Sequence, residues 1–265
     1  MSSTQVKLPK KPGIPGGIIF SLVFAFVLTV VTMITVEFSL TEIFSNFGRR
    51  NLVTDGLLSP DLTQIFSERS LSAFIETLQL AVLGTVLGGG ASLLMAYWAT
   101  EFGNPIRWLR FLIRTFNNIV RSIPDLLWAL LFVTAVGIGI LPGLLALFFF
   151  SMAVVTKLTS DTLDGIDMGP IEAAQASGSG QIAMLRTAVL PQILPSYTSF
   201  VLYGFELNLR ASAVLGLVGA GGIGSRIEFF RSRGDWSEVW GLVLMFFLVV
   251  FLVERFSVTI RRRLV

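Results

Sequence analysis

The chain has 265 residues, of which 53% are hydrophobic and only 14% charged, with a formal net charge of +3. Soluble domains carry about 25% charged residues, so this composition points to a membrane protein, with a lipid bilayer as partner and no nucleic acid. There is no cysteine and no histidine, which excludes disulfides, thiol nucleophiles and histidine acid–base chemistry and argues against zinc or haem ligation.

In chain order, the first element is an uncharged run from Pro12 to Val36. It is too long for the apolar segment of a signal peptide and lacks an A-x-A site. It is read as a retained first span over roughly 17–37. A loop over about 38–69 follows, with a short surface helix expected after Ser59 or Asp61. The second span, roughly 70–99, carries Gly84, Gly88 and Ser92 at four-residue spacing, a row that lets helix backbones approach closely. The third span, roughly 112–138, has Arg114, Arg121 and Asp125 near its start. The fourth covers roughly 142–160. A polar stretch over 161–189 separates it from the fifth, roughly 190–218, which contains Pro191, Pro195, Glu206, Asn208 and Arg210. The sixth covers roughly 237–259. Runs of this length and polarity cross a bilayer as helices. The expected fold is an all-α membrane protein of about six transmembrane helices, with residues 1–265 forming a single domain.

Lysine and arginine set the orientation. With the N-terminus inside, thirteen basic residues fall at the inner face and six outside, with Arg210 in the membrane. Both termini are therefore expected in the cytoplasm, together with the 161–189 stretch.

That stretch reads as two short helices around a turn. Pro170 suits a first helical turn, where its missing N–H costs nothing. Glu172 sits near the positive end of the helix. Gly178 suits a left-handed stop, and Ser179 can cap a second helix carrying Ile182, Leu185 and Val189. Glu172-Ala173-Ala174, three residues, Gly178, nine residues and Ala188-x-Leu190-Pro191 resemble the EAA loop of ABC importer permeases, EAA-x3-G-x9-I-x-L-P. Ala188 replaces the usual Ile. The segments RSIPDLLWALLFVTAVGIG (121–139) and FELNLRASAVLGLVGAGGIG (205–224) resemble the phosphonate-importer branch, related to the methionine-importer permeases.

The resemblance implies a type I permease fold in a bacterial cytoplasmic membrane. It implies a second permease chain, expected to be identical, two ATPase subunits and an extracytoplasmic binding protein. Glu172, Ala173, Ala174 and Gly178 would couple to the ATPase. No cofactor is expected in this chain; ATP and Mg2+ would reside on the partner. The substrate implied is a phosphonate, phosphite or phosphate, with an amino acid such as methionine as the alternative.

Other features stay consistent with a transport subunit rather than an enzyme. None of the four lysines follows a glycine, so there is no Walker A. Gly219, Gly221, Gly222 and Gly224 satisfy G-x-G-x-x-G but follow a helical span, and read as a flexible external turn. A membrane-embedded enzyme would need an acidic or histidine cluster that the chain lacks, while a non-transporting scaffold remains a rival. Charges within a membrane are costly and tend to be functional. Glu206 with Arg210, and Arg121 with Asp125, share the i,i+4 spacing of a pair, with Asn208 pointing elsewhere. Either an arginine lines an anion path, or both pairs pin helices together. The outer loops hold six arginines against eight acids, no funnel for an anion.

Overall fold

The structure, a computed structural model, describes residues 15–47 and 52–264. Lys7, Lys10 and Lys11, counted above at the inner face, and Arg49 and Arg50, counted outside, lie outside those residues. All regular structure among the described residues is helical, with no strand. The chain divides into two units, residues 1–51 and 52–265. The first holds α1 (Gly16–Thr35), an uncharged 20-residue helix, and α2 (Leu40–Phe47).

The second unit is a bundle built on α4 (Glu68–Ala99), α7 (Ile140–Asp164) and α10 (Leu190–Gly216). Before it come α3 (Leu52–Leu58) and a 3-10 turn at Thr63–Phe66, whose start is held by Asp61 accepting from the Thr63 N–H at 2.7 Å. The expected short helix after Asp61 is this turn; α2 and α3 precede it. The core joins Leu80, Ala146, Leu147 and Leu215, all buried. The small-residue row of α4 packs internally. A Cβ on Gly84 would stand 2.7 Å from Cβ of Leu147, and one on Gly88 2.7 Å from the Phe148 carbonyl. Glycine is therefore what lets α4 and α7 approach so closely.

The expected third span is not one helix. It is α5 (Arg107–Ser122) and α6 (Asp125–Val136), bent by 93°. Pro124 is the cause: it lacks an N–H and drives Ile123 into extended backbone, φ −92° and ψ 123°. Trp128 of α6 covers the break by donating its indole N–H to the Val120 carbonyl at 3.1 Å, and stacks with Phe132 and Phe149.

After α7 come α8 (Gly169–Ala176), α9 (Gln181–Met184) and a π-helical turn at Leu185–Val189 that runs without a break into α10. The π turn immediately precedes Pro191, whose ring and missing N–H disturb an α ladder. A tight corner then leads to α11 (Gly222–Arg233), and α12 (Trp236–Leu264) ends the described chain. Phe74, Ile223, Phe230 and Leu242 form the core joining α4, α11 and α12.

Among the described residues, α1, α4, α7 and α12 are long and apolar enough to cross a membrane, and the bent α5–α6 pair makes a fifth candidate. Helix α10 has 27 residues, about 40 Å, but carries Glu206, Asn208 and Arg210.

Candidate functional site

Three polar regions interrupt the bundle. The first is the α8 turn. Ile171 is fully buried among Ala96, Leu163, Met184 and Val189, at the end of the bundle where α4 and α7 finish. That single apolar residue fixes the roll of α8. Glu172 and Ala173 are consequently exposed, and Ala174 is half-buried. The helix closes on itself: the Gly178 N–H donates to the Gln175 carbonyl at 2.9 Å and the Ser179 N–H to the Ala174 carbonyl at 3.0 Å. This is a Schellman ending, with Gly178 at φ +74°. Ser179 does not cap the next helix; Gly180 holds that position without a side-chain bond. The helix begins one residue later than expected, which leaves Ser179 one position before the cap, and its hydroxyl faces that of Ser177 at 3.3 Å. Of the apolar residues on the second helix, Ile182 is 83% exposed, whereas Val189 is buried. Ala188 is buried beside Val189, so the small residue fits the site.

A residue that motif reading passes over connects this turn to the bundle. Gln192 of α10 accepts from the Asp167 N–H and donates to the Asp167 carbonyl, each at 3.2 Å. It also donates to the Ala188 carbonyl at 2.7 Å. The start of α8 is thus bonded to α10 at two points.

The second region is the charged face of α10. Glu206 and Arg210 do not pair with each other. Glu206 accepts from Arg261 at 2.7 Å, and Arg210 stands 3.7 Å from Glu254. Both face α12, which supplies an opposite charge for each, so the i,i+4 spacing aligns them with α12 instead of joining them. Glu206 is buried, and Tyr203 lies beneath the Arg261 guanidinium at 5.9 Å. Asn208 does point elsewhere: it is fully buried between α4 and α7, donating to the hydroxyls of Thr85 and Ser151. Arg121 and Asp125 are also unpaired with each other, because the Pro124 bend places them on different helices. Asp125 accepts from the Leu126 N–H at the positive end of α6. Arg121 is exposed and makes no ion pair among the described residues.

The third region is the glycine-rich corner. Gly219, Gly221 and Gly222 have φ of +93°, +84° and +69°, a region glycine adopts without penalty. A Cβ on Gly224 would fall 1.9 Å from the Ala213 carbonyl oxygen. Thr77 accepts from the Ile223 N–H at 2.8 Å, and Glu76 stands against Gly221. Glu76 is a second contact that composition conceals. The corner is therefore a packed junction of α4, α10 and α11, not a loose loop. Beyond it, Arg226 lies over the rings of Phe229 and Phe230. Burial lowers its pKa, and Arg69 and Arg233 add repulsion. The Glu228 carboxyl is held below its ordinary value by hydrogen bonds from Arg231.

None of these regions gathers a nucleophile, a base and an oxyanion donor. They amount to an exposed short helix after α7, an ion-paired seam between α10 and α12, and a tight glycine junction before α11. Residues 88–265 match the family described as binding-protein-dependent transport system inner membrane component. The chain belongs to that family. Its relatives are transport permease subunits, not enzymes. The permease is 38% identical over 188 residues to the phosphate-import permease protein PhnE of Mycolicibacterium smegmatis, covering 71% of this chain and 35% of that protein. It is 37% identical over 188 residues to the phosphite transport system permease protein PtxC of Stutzerimonas stutzeri, covering 71% of this chain and 68% of that one. The chain thus spans only about a third of the length of the first of these relatives. In fold it is similar to the inward-facing MetNI methionine ABC transporter, with a TM-score of 0.65 at 21% identity over 74% of this chain and 96% of that one. The permease therefore has the type I importer fold. Its family works in an inner membrane with an ATPase and a substrate-binding protein.

Proposed function

We propose that this permease moves a phosphonate, phosphite or phosphate into the cytoplasm, powered by ATP and Mg2+ on two partner ATPase subunits. The observation that carries the coupling part is α8. It is a short helix rolled by buried Ile171 so that Glu172 and Ala173 face outward, ended sharply by Gly178, and bonded to α10 through Gln192. Such an element can enter a groove on a motor subunit and pass displacement to a membrane helix. The substrate class is supported by the names of the relatives, which are a phosphate and a phosphite permease.

In this reading the whole chain, residues 1–265, is one permease domain with six spans, α1 supplying the first and α5–α6 together the third. Both termini and α8 lie in the cytoplasm. Two identical permease chains form the pathway. Arg121, exposed and unpaired beside the break, lines the anion path. Asp125, Glu206, Asn208 and Arg210 hold helices in place. The corner at Gly219–Gly224 forms the external gate, where the binding protein delivers substrate.

The experiment is a thermal-shift screen of the binding protein that works with this permease, followed by uptake in vesicles containing all subunits. Stabilisation by phosphonates, phosphite or phosphate with ATP-dependent uptake is expected. Stabilisation by methionine alone would replace the substrate assignment. Single cysteines test the orientation, since the chain has none of its own. Ser232→Cys should react with an impermeant reagent in intact cells, and Ser179→Cys only after permeabilisation.

A further inference from the structure

A cavity of about 720 Å³ lies at the foot of α5. Its basic wall is Arg107, Arg110 and Arg114, placed one and two turns apart on a single face. Two of the three are held rigidly by backbone. Arg110 donates to the Asn104 carbonyl at 2.7 Å, and Arg114 donates to the Ala99 carbonyl at 2.7 Å and to Asp164 at 2.8 Å. Each keeps further N–H donors. Glu101 is a weak competitor for Arg110, at 3.5 Å and 88% exposed. Arg107 makes no ion pair among the described residues.

Beside this wall α5 presents a stripe of exposed apolar side chains: Trp108, Phe111, Leu112, Phe116 and Ile119. Trp108 and Phe111 stack at 5.7 Å, and Phe111 also lines the cavity. Tryptophan and arginine side by side are the mark of a helix at the membrane–water boundary. A soluble oxyanion would use the arginines and have no use for the stripe. An amphiphile with a negative head uses both.

We propose that this cavity binds the headgroup of an anionic phospholipid, with its chains along Trp108, Phe111 and Phe116. The proposal rests on the orientation given above, in which this end faces the cytoplasm. Arg107 is the free donor, and Arg110 and Arg114 are fixed ones. The opposite wall includes Ile166 and Met168, directly before α8. A bound headgroup therefore touches the segment that leads into the coupling helix, and lipid composition would tune coupling.

The test uses the permease assembled with its ATPase, in nanodiscs of phosphatidylcholine with rising phosphatidylglycerol. Retained lipid is counted by native mass spectrometry, and ATPase rate is followed in parallel. Phosphatidylglycerol should be retained over phosphatidylcholine. Arg107→Gln should weaken that retention about fivefold, the worth of one basic residue beside anionic lipid, and flatten the dependence of ATPase rate on phosphatidylglycerol. The Arg107 side chain makes no hydrogen bond or ion pair among the described residues, so this variant should fold as the parent does. Trp108→Ala should also weaken retention, which a soluble-anion site would not show. Equal retention of the two lipids, or no effect of Arg107→Gln, would overturn the proposal. So would displacement by millimolar inorganic phosphate, which would make the cavity a soluble-anion site. Retention only after the ATPase is stripped away would give the cavity to that subunit instead. Lipid retention needs no substrate, so failure here is distinct from failure of the import assignment.

Discussion

The α8 turn and the α10–α12 seam satisfy polar groups in opposite ways. At α8 the backbone closes on itself within six residues, and its one acidic side chain, Glu172, faces out. At the seam, buried Glu206 finds its partner 55 residues away, in Arg261. Water can solvate an unpaired group at a surface, so α8 leaves Glu172 free for a partner. Inside the packed bundle a lone charge has no such recourse, and buried Glu206 is matched internally. Polar residues at α8 thus stay exposed, and those at the seam are committed to the fold.

The largest effect should come from breaking the buried half of the seam. Arg261→Ala leaves the Glu206 carboxylate without its partner at 4% exposure. Losing one member of a buried pair commonly costs about 3–5 kcal/mol. Assembly yield and thermal stability in detergent should both fall. Glu206→Gln combined with Arg261→Gln should recover much of the loss, because two neutral amides leave no stranded charge. Equal stability of parent, single and double variants would show that the seam does not depend on the pair.

Next comes the glycine junction. Gly224→Ala drives a methyl into the Ala213 carbonyl, with the Gly216 backbone close behind at 2.8 Å. Neither neighbour is a flexible side chain, so α10 and α11 must separate, at a cost of about 1–3 kcal/mol or more. A melting temperature matching the parent would show the junction to be looser than described.

Gly178 offers the contrast. A Cβ there meets nothing within 4 Å, and only its φ of +74° resists substitution. Gly178→Val should lose only about 1–2 kcal/mol, the cost of a left-handed residue with a side chain. It should nevertheless abolish substrate-stimulated ATPase activity, because the direction of the chain after α8 changes. Glu172→Lys should insert normally and lose stimulation too, since it sets a positive charge at the positive end of the helix. Full stimulation in both would reduce α8 to a linker.

The same contrast governs what the sequence reveals. Pro170, Gly178 and the alanines of α8 act over one or two turns, so their spacing carries the structure. The long apolar runs are legible for the same reason. Partners for Glu206 and Arg210 are not, because i,i+4 spacing says only that two side chains share a helix face, not what lies opposite. Arg261 and Glu254 become visible as partners only once α12 is laid along α10. Pro124 was in plain view, yet one proline can kink a span or break it. The bend of 93° depends on Trp128 and Phe149 packing around it. Gln192 belongs to no motif, because its two bonds to Asp167 require the loop to fold back.

The smallest effect on the fold should come from the outer half of the seam, where Arg210 and Arg121 can be told apart. Arg210 and Glu254 are 49% and 48% exposed and 3.7 Å apart. Polar contacts between membrane helices commonly contribute less than about 1–2 kcal/mol. Arg210→Gln should leave stability within that range and uptake per assembled complex within about twofold, since its charge is directed at α12. Arg121 has no ion-pair partner to lose among the described residues, so Arg121→Gln should leave stability within about 0.5 kcal/mol. Its uptake should fall by about tenfold or more, the loss of one hydrogen bond to a charged group. Stability and uptake therefore separate at Arg121 and stay together at Arg210. If Arg210→Gln abolishes uptake while Arg121→Gln does not, the anion path runs along α10, and the outer half of the seam is a gate rather than a pin.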